Sequence, residues 1–228
     1  MFRTAGGSVT HIITRRLRIE ALRREHAEPL FAALADPSIY AYIPEDPPES
    51  ADALAGRYAR LAEGAPAGSG QVWLNWAVRL RGSPAYIGTL QATVLRDRTA
   101  SIAYVLAPLH RGHGYATEAC RWLLGHLAIE RRVVEFQATT DVRNEASWRL
   151  LERLRFVRMG EELARCHGQA VTDFRYRRDP RPGEPRHSTR TDAGGAPGSA
   201  APMAKSPPVG QTTGRPADGS SPALRAAR

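Results

Sequence analysis

The 228-residue chain carries 32 Lys and Arg against 23 Asp and Glu, a formal net charge of +9, with two cysteines and 42% hydrophobic residues. This excludes a disulfide framework, a CxxC zinc or redox centre and a helix of 18 or more apolar residues. The start MFRTAGGSVTHIITRRLRIE lacks the apolar core of a secretory signal, so a cytoplasmic protein with no membrane partner is expected.

Residues 1–13 read as a flexible start. RRLRIEAL (15–22) alternates weakly and predicts a first strand. EHAEPLFAALAD predicts a helix with Pro29 in its first turn. After the proline-rich IPEDPPES a second helix puts Leu54, Tyr58 and Leu61 on one face and stops at Gly64. VWLNWAVRL, with Val72, Leu74, Trp76 and Val78 on one face, YIGTLQATV and SIAYVLA are joined by short turns and predict an antiparallel meander.

Helical periodicity then begins. Ala116, Ala119, Cys120, Leu123, Leu124, Leu127 and Ala128 make one apolar stripe, interrupted only by Gly125. RVVEFQATT (132–140) predicts a buried strand, brought parallel or nearly parallel to its predecessor by the helix between them. A last helix starts at Asn144, with Leu150, Leu151 and Leu154 inward and Ser147 on the same face. From Pro180 onward, nine Pro and seven Gly in 49 residues, with almost no large apolar side chains, predict a disordered tail. The folded domain is therefore 14–179, large enough to bury a core unaided.

The stretch HRGHGYATEA (110–119) stands at the strand-to-helix junction. Glycines there let a ligand approach the main chain, and the free N–H groups and dipole of a helix start attract an anion. Arg111 and His113 add side-chain donors, so the ligand read here is a phosphate or diphosphate; a simple structural turn is the other reading. A P-loop would need GxxxxGK[ST], and the only lysine is Lys205; a dinucleotide fingerprint would need GxGxxG after the first strand of a βαβ unit. His110, His113 and His126 form no metal-ligand set, so no metal is expected. The arginine excess has no basic block with interleaved aromatics, and a nucleic-acid groove is not the first reading.

Arg111-Gly112-His113-Gly114-Tyr115-Ala116 resembles the [RQ]xxGx[GA] acetyl-CoA motif of the GNAT superfamily of N-acetyltransferases. RGHGYATEACRWLL, with Asn144, Ser147, Leu151 and Phe156 in an NxxSxxxLxxxGF-like pattern and TRRLRIE and ALADP near the start, is similar to the subgroup of ribosomal-protein N-terminal alanine acetyltransferases. The resemblance spans roughly 14–178. It implies an α+β, three-layer fold, a central mixed but mostly antiparallel sheet flanked by helices, whose strands splay into a V-shaped cleft for acetyl-CoA. By the same resemblance the diphosphate rests on main-chain N–H groups around Gly112 and Gly114, and Val105 and Leu106 border the thioester, where an N–H faces the developing oxyanion. Asn144 corresponds to a contact of the cofactor arm, or is a plain N-cap. Ser147 corresponds to the proton donor for the leaving thiolate, or is a small residue that lets the helix approach the sheet.

Two departures from the family pattern stand out. Arg155 replaces the usual glycine, so its turn is either strained or differently shaped. SIAYVLA lacks the acidic residue that many relatives use as base; Glu135 and Glu161 or Glu162 are candidates, or each is an ordinary surface carboxylate. An α-amine with a pKa near 7.8 is roughly a tenth neutral at pH 7, whereas lysine, ~2.5 units higher, would cost about 3.4 kcal/mol more to deprotonate. A site without a strong base therefore suits a protein or peptide N-terminus. Tyr40, Tyr42, Pro44 and Glu45 are acceptor contacts by analogy, or parts of a proline-stiffened connection with packed tyrosines. A small amine such as an aminoglycoside, favoured by the acids of PEDPPE, is the alternative acceptor. A CoA- or RNA-binding module without turnover, with possible ribosome contact through the arginines, is the non-enzymatic alternative.

Overall fold

Alternation and helical stripes set the order of elements in the structure, a computed structural model that describes residues 11–181 and 189–190. Strands β1 (His11–Ile13) and β2 (Leu17–Ala21) lead through a 3-10 turn (Arg24–His26) to helix α1 (Ala27–Leu34). A second 3-10 segment (Pro37–Tyr42) precedes α2 (Ala51–Glu63). Then come β3 (Gln71–Leu80), β4 (Tyr86–Leu95), β5 (Thr99–Leu106), α3 (Tyr115–Glu130), β6 (Glu135–Asp141) and α4 (Glu145–Arg153). The hairpin β7 (Val157–Cys166) and β8 (Gln169–Arg178) and the short β9 (Thr189–Arg190) complete the described chain.

The sheet runs β7-β8-β6-β5-β4-β3-β2-β1-β9, antiparallel throughout except for the parallel β5–β6 pair. This is the mixed sheet the sequence predicted. Two expectations need correction at its edge. His11–Ile13 is not part of a flexible start but pairs with β2, because Ile12 reaches the core. Thr189–Arg190, assigned to the tail, pairs with β1. Residues 1–10, 182–188 and 191–228, on which the rest of those two expectations falls, lie outside the described residues.

Both faces of the sheet are covered. Leu30 and Leu34 of α1 and Leu54 and Tyr58 of α2 close on Ile39 and Ala77. On the other face the α3 stripe, with Leu123, Leu124 and Leu127 almost fully buried, packs on Ile19, Val78, Ile102 and Phe136 and on Leu150 of α4. Each such leucine contributes about 1.5–3 kcal/mol. The alternation of β3 is only half reflected in burial: Trp76 and Val78 are in the core, but Val72 is 43% exposed near the strand's free end.

Candidate active site

Strands β5 and β6 pair at three positions only, Thr99 with Glu135, Ala100 with Phe136 and Ser101 with Gln137. Beyond them β5 stays with β4 as far as Leu106, and β6 stays with β8 as far as Asp141. The sheet therefore opens over Ile102–Leu106, a gap roughly 15 Å deep at about 3.3 Å per residue. The wall on the β4 side is tight. A Cβ on Gly88 would lie 2.0 Å from the Val105 carbonyl oxygen, so only glycine allows β4 and β5 to meet as they do at the mouth. Gly88 was not singled out in the sequence, where it reads as an ordinary strand glycine.

Helix α3 begins at this mouth. Its N-cap is Gly114 at φ 76°, and no side chain caps it, whereas Ser50 caps α2 and Asn144 caps α4. Gly112 has φ 79°, and a Cβ there would meet nothing within 4 Å. Two left-handed glycines, with open space beside Gly112 and the Arg16 guanidinium 3.5 Å from a Cβ built on Gly114, and a helix start with no side-chain cap make a turn that suits a phosphate. Tyr115 is half-buried and Ala116 buried. His113 lies flat on Tyr115, with ring centroids 5.6 Å apart, and its Nδ1 donates to the Arg111 carbonyl at 2.8 Å. The Arg111 charge also reaches back toward α1: Asp36 is held below the usual carboxylate range, first by its hydrogen bonds with Ser38 and then by Arg111.

The turn is fixed from a distance. Arg16 donates to the His113 carbonyl at 2.8 Å and to Glu118 Oε2 at 2.7 Å, and its guanidinium sits 4.8 Å over the Tyr115 ring. Thr14 and the Arg16 N–H both donate to Glu118 Oε1 at 2.7 Å. Burial would raise the Glu118 carboxyl, but these hydrogen bonds and the arginine outweigh it and hold the group below its ordinary value. Sequence reasoning missed Thr14, Arg16 and Glu118, since residues about a hundred positions apart carry no local signal.

Across the gap, Asn144 accepts a hydrogen bond from the Ser147 N–H at 3.2 Å, the capping role proposed for it. Ser147 is fully buried, with its Oγ 2.9 Å from the Tyr104 hydroxyl. Tyr104 on β5 and Ser147 on α4 thus span the splayed strands. Val105 and Leu106, the glycine turn, Asn144 and Ser147 all gather at the open end. Glu135 does not: it pairs with Thr99 at the closed end, six residues or about 20 Å along β5 from Val105, and is bound to Arg177 at 2.8 Å. Glu161 and Glu162 lie on β7, with Glu162 Oε2 3.8 Å from Arg175.

The remaining rim is made of side chains. Tyr40 turns inward, donating to the Leu34 carbonyl at 2.8 Å, with its phenol pushed up to about 12 by burial. His167, at the β7–β8 tip, donates from Nε2 to the Tyr40 carbonyl at 2.9 Å and faces Asp46 at 3.4 Å. Glu45 is ion-paired with Arg57. Arg143 lies 5.7 Å over the Tyr42 ring and is clamped by the buried Asp141 through bonds of 2.9 and 2.7 Å, which push its guanidinium further above its ordinary value. Trp76 packs edge-on against Trp122 at 5.5 Å, a core residue as expected.

One buried carboxylate shares a register row with Val105. Glu20 on β2 is aligned through Ala77 and Thr89, three strand spacings or about 14 Å away. It is occupied by Arg18 at 2.6 Å, Tyr86 at 3.1 Å and His26 at 3.3 Å; burial raises it, but these partners keep it below the usual range. Among the described residues no group of His, Cys, Asp and Glu is placed to hold a metal ion, and no helix is long and apolar enough to cross a membrane.

Known proteins share this fold. An acetyltransferase (GNAT) from Bacillus anthracis superposes with a TM-score of 0.63 at 21% identity, over 74% of this chain and 98% of that one. The ribosomal-protein-S5-alanine acetyltransferase of Vibrio fischeri gives 0.65 at 15% identity over 75% and 96%. An acetyltransferase from Salmonella typhimurium that modifies the N-terminal serine of ribosomal protein L7/L12 gives 0.64 at 16% over 73% and 96%. These similarities speak for the fold. The acetyltransferase (GNAT) domain family itself matches residues 16–157, and its members use acetyl-CoA. The family model covers well over half of the chain, and the chain belongs to the GNAT family of acetyltransferases.

Proposed function

We propose that the chain transfers the acetyl group of acetyl-CoA to the α-amine of a protein N-terminus. The cofactor supplies an activated acyl thioester. The main-chain N–H groups at Gly112, Gly114, Tyr115 and Ala116 hold its diphosphate, helped by Arg111 and His113, while Val105 and Leu106 lie against the thioester and an N–H there meets the developing oxyanion. Asn144 fixes the start of α4. Ser147, backed by the Tyr104 hydroxyl at 2.9 Å, holds the proton for the departing thiolate.

The observation that carries the acceptor is that four carboxylates around the open end and along its register row are already occupied. Glu118 is taken by Thr14 and Arg16, Asp141 by Arg143, Glu45 by Arg57, and Glu20 by Arg18, Tyr86 and His26. Glu118 and Glu20, held below the ordinary carboxylate range by their partners, are poor proton acceptors, so the site suits an amine that is already partly neutral, an α-amine of pKa near 7.8 rather than lysine near 10.4. Of the acids that favoured an aminoglycoside, Glu45 is neutralised in the same way and Asp46 faces His167, and the cationic Arg143 at the rim repels a polycation. The L7/L12-modifying and S5-alanine relatives support this reading, since they act on protein acceptors.

Purified protein is incubated with acetyl-CoA and an amine panel, and free thiol is followed. Release with free-amine peptides, and none with their N-acetylated forms, is expected. Release with aminoglycosides alone would overturn the acceptor, and calorimetric binding of CoA with no release from any amine would overturn the enzymatic reading.

A further inference from the structure

The charge of the folded domain is unevenly placed. At the closed end of the sheet, the β4–β5 turn (95–99), the α3–β6 connection (130–135), the α4–β7 turn (152–157) and the exit from β8 (177–181) carry nine arginines against five carboxylates. Arg153, Arg155 and Arg181 have no ion-pair partner among the described residues. Two shallow cavities of about 500 and 430 Å³ adjoin there and share Arg155; Arg149 and Arg153 line one, and Val157, Met159 and Arg181 the other.

The backbone adds an independent observation. Among the described residues four other than glycine have left-handed φ, and three are arginines at this end: Arg98 at 68°, Arg132 at 51° and Arg155 at 66°. Such a conformation is strained for any residue with a Cβ. Arg155 holds the glycine position of a Schellman motif, its N–H bonded to Glu152 O at 2.8 Å and that of Phe156 to Leu151 O at 3.0 Å. Arginines that follow α3 and α4 also complement helix dipoles, but Arg98 and Arg181 follow no helix. Strain retained repeatedly for one side chain at one surface points to a ligand of that side chain.

We propose that the closed end of the sheet docks the phosphate backbone of a duplex nucleic acid, with Arg98, Arg155 and Arg181 as contacts. Guanidinium forks match phosphate oxygens. From β5 across to β7 is three strand spacings, roughly 14 Å, along which a duplex presents about eight phosphate charges. The cavities are lined by no aromatic side chain, so base stacking is not supplied and backbone contact dominates. The surface is at the opposite end from the acetyl-transfer cleft, so this proposal stands apart from the acceptor reading.

The test is fluorescence anisotropy of the full chain with labelled RNA and DNA hairpins of one sequence at 50–200 mM salt, comparing wild type with an Arg98→Gly/Arg155→Gly/Arg181→Ala variant. The glycine changes relieve strain, so the variant should melt no lower than wild type. Expected are a loss of about tenfold or more in affinity at 100 mM salt and a salt slope shallower by about two to three. Acetyl transfer to a peptide should be unchanged. Preference for the RNA or the DNA hairpin identifies the duplex, and either with that loss supports the proposal. Unchanged affinity in the variant would overturn it, as would polyglutamate displacing the hairpin at equal charge concentration.

Discussion

The two sides of the cleft are built differently. The cofactor side is made of main chain: Gly88 against the Val105 carbonyl, left-handed Gly112 and Gly114, and an uncapped α3. The acceptor side is made of side chains from distant segments, with Glu45 on Arg57, His167 on Tyr40 and Asp46, and Arg143 between Asp141 and Tyr42. The first side is rigid and generic to the chemistry. The second can be changed residue by residue, and in the proposed function it is the side that meets the acceptor.

Gly88→Ala should break the main-chain side most severely. Its Cβ has no room 2.0 Å from a backbone oxygen, so β4 and β5 must separate at the mouth. A loss of about 2 kcal/mol in stability and roughly 100-fold or more in kcat/KM is expected from melting and thiol-release measurements. Wild-type turnover would mean that the mouth does not depend on this contact. Gly114→Asp comes next. A like charge facing the diphosphate is expected to weaken CoA binding by up to about 2 kcal/mol, roughly 30-fold by calorimetry, while left-handed strain on a non-glycine residue lowers the melting temperature with the fold retained.

That division also explains what the sequence made legible. The alternation of β3–β5 and the α3 stripe report local periodicity, so the fold and the glycine turn were readable. Asn144 was readable as a cap because capping is a four-residue affair. Glu135 was misplaced because residue type alone does not locate a side chain in the fold: the parallel pairing of β5 and β6, expected from the sequence and present in the structure, puts the start of β6 at the closed end. The Thr14–Arg16–Glu118 brace was invisible for the same reason, being a contact between β2's approach and α3. Arg155 was legible as an anomaly. The structure resolves its two readings in favour of a kept turn carrying strain, with the Schellman bonds intact.

Glu118→Gln should give an intermediate effect by loosening that brace. One carboxylate accepting from Thr14 and Arg16 is replaced by a neutral amide, and a roughly tenfold rise in the KM for acetyl-CoA is expected, with kcat little changed. The acid limb of stability follows from the same group. Glu118 and Glu20 both titrate below the ordinary glutamate value in the folded chain. The unfolded chain therefore takes up their protons first. Their contribution is complete above about pH 4.3 and is lost as the pH falls through the lower folded values. Melting curves from pH 7 to pH 3 should show the wild type losing its advantage over Glu118→Gln in that acid range and keeping it at neutrality.

The smallest effect is expected on the acceptor side. Asp46 is largely exposed and meets only His167, at 3.4 Å, an arrangement worth little in water. Asp46→Asn should change kcat/KM for a free-amine peptide by less than about twofold and create no activity on aminoglycosides. A tenfold loss with every amine would instead show that this carboxylate receives the acceptor's charge directly. The rim would then be an acidic cleft for polyamines, and the repulsion assigned to Arg143 would not be what decides the acceptor. The exposed, weakly held residue is thus the most informative one to change, because the two acceptor readings differ over what its charge is for.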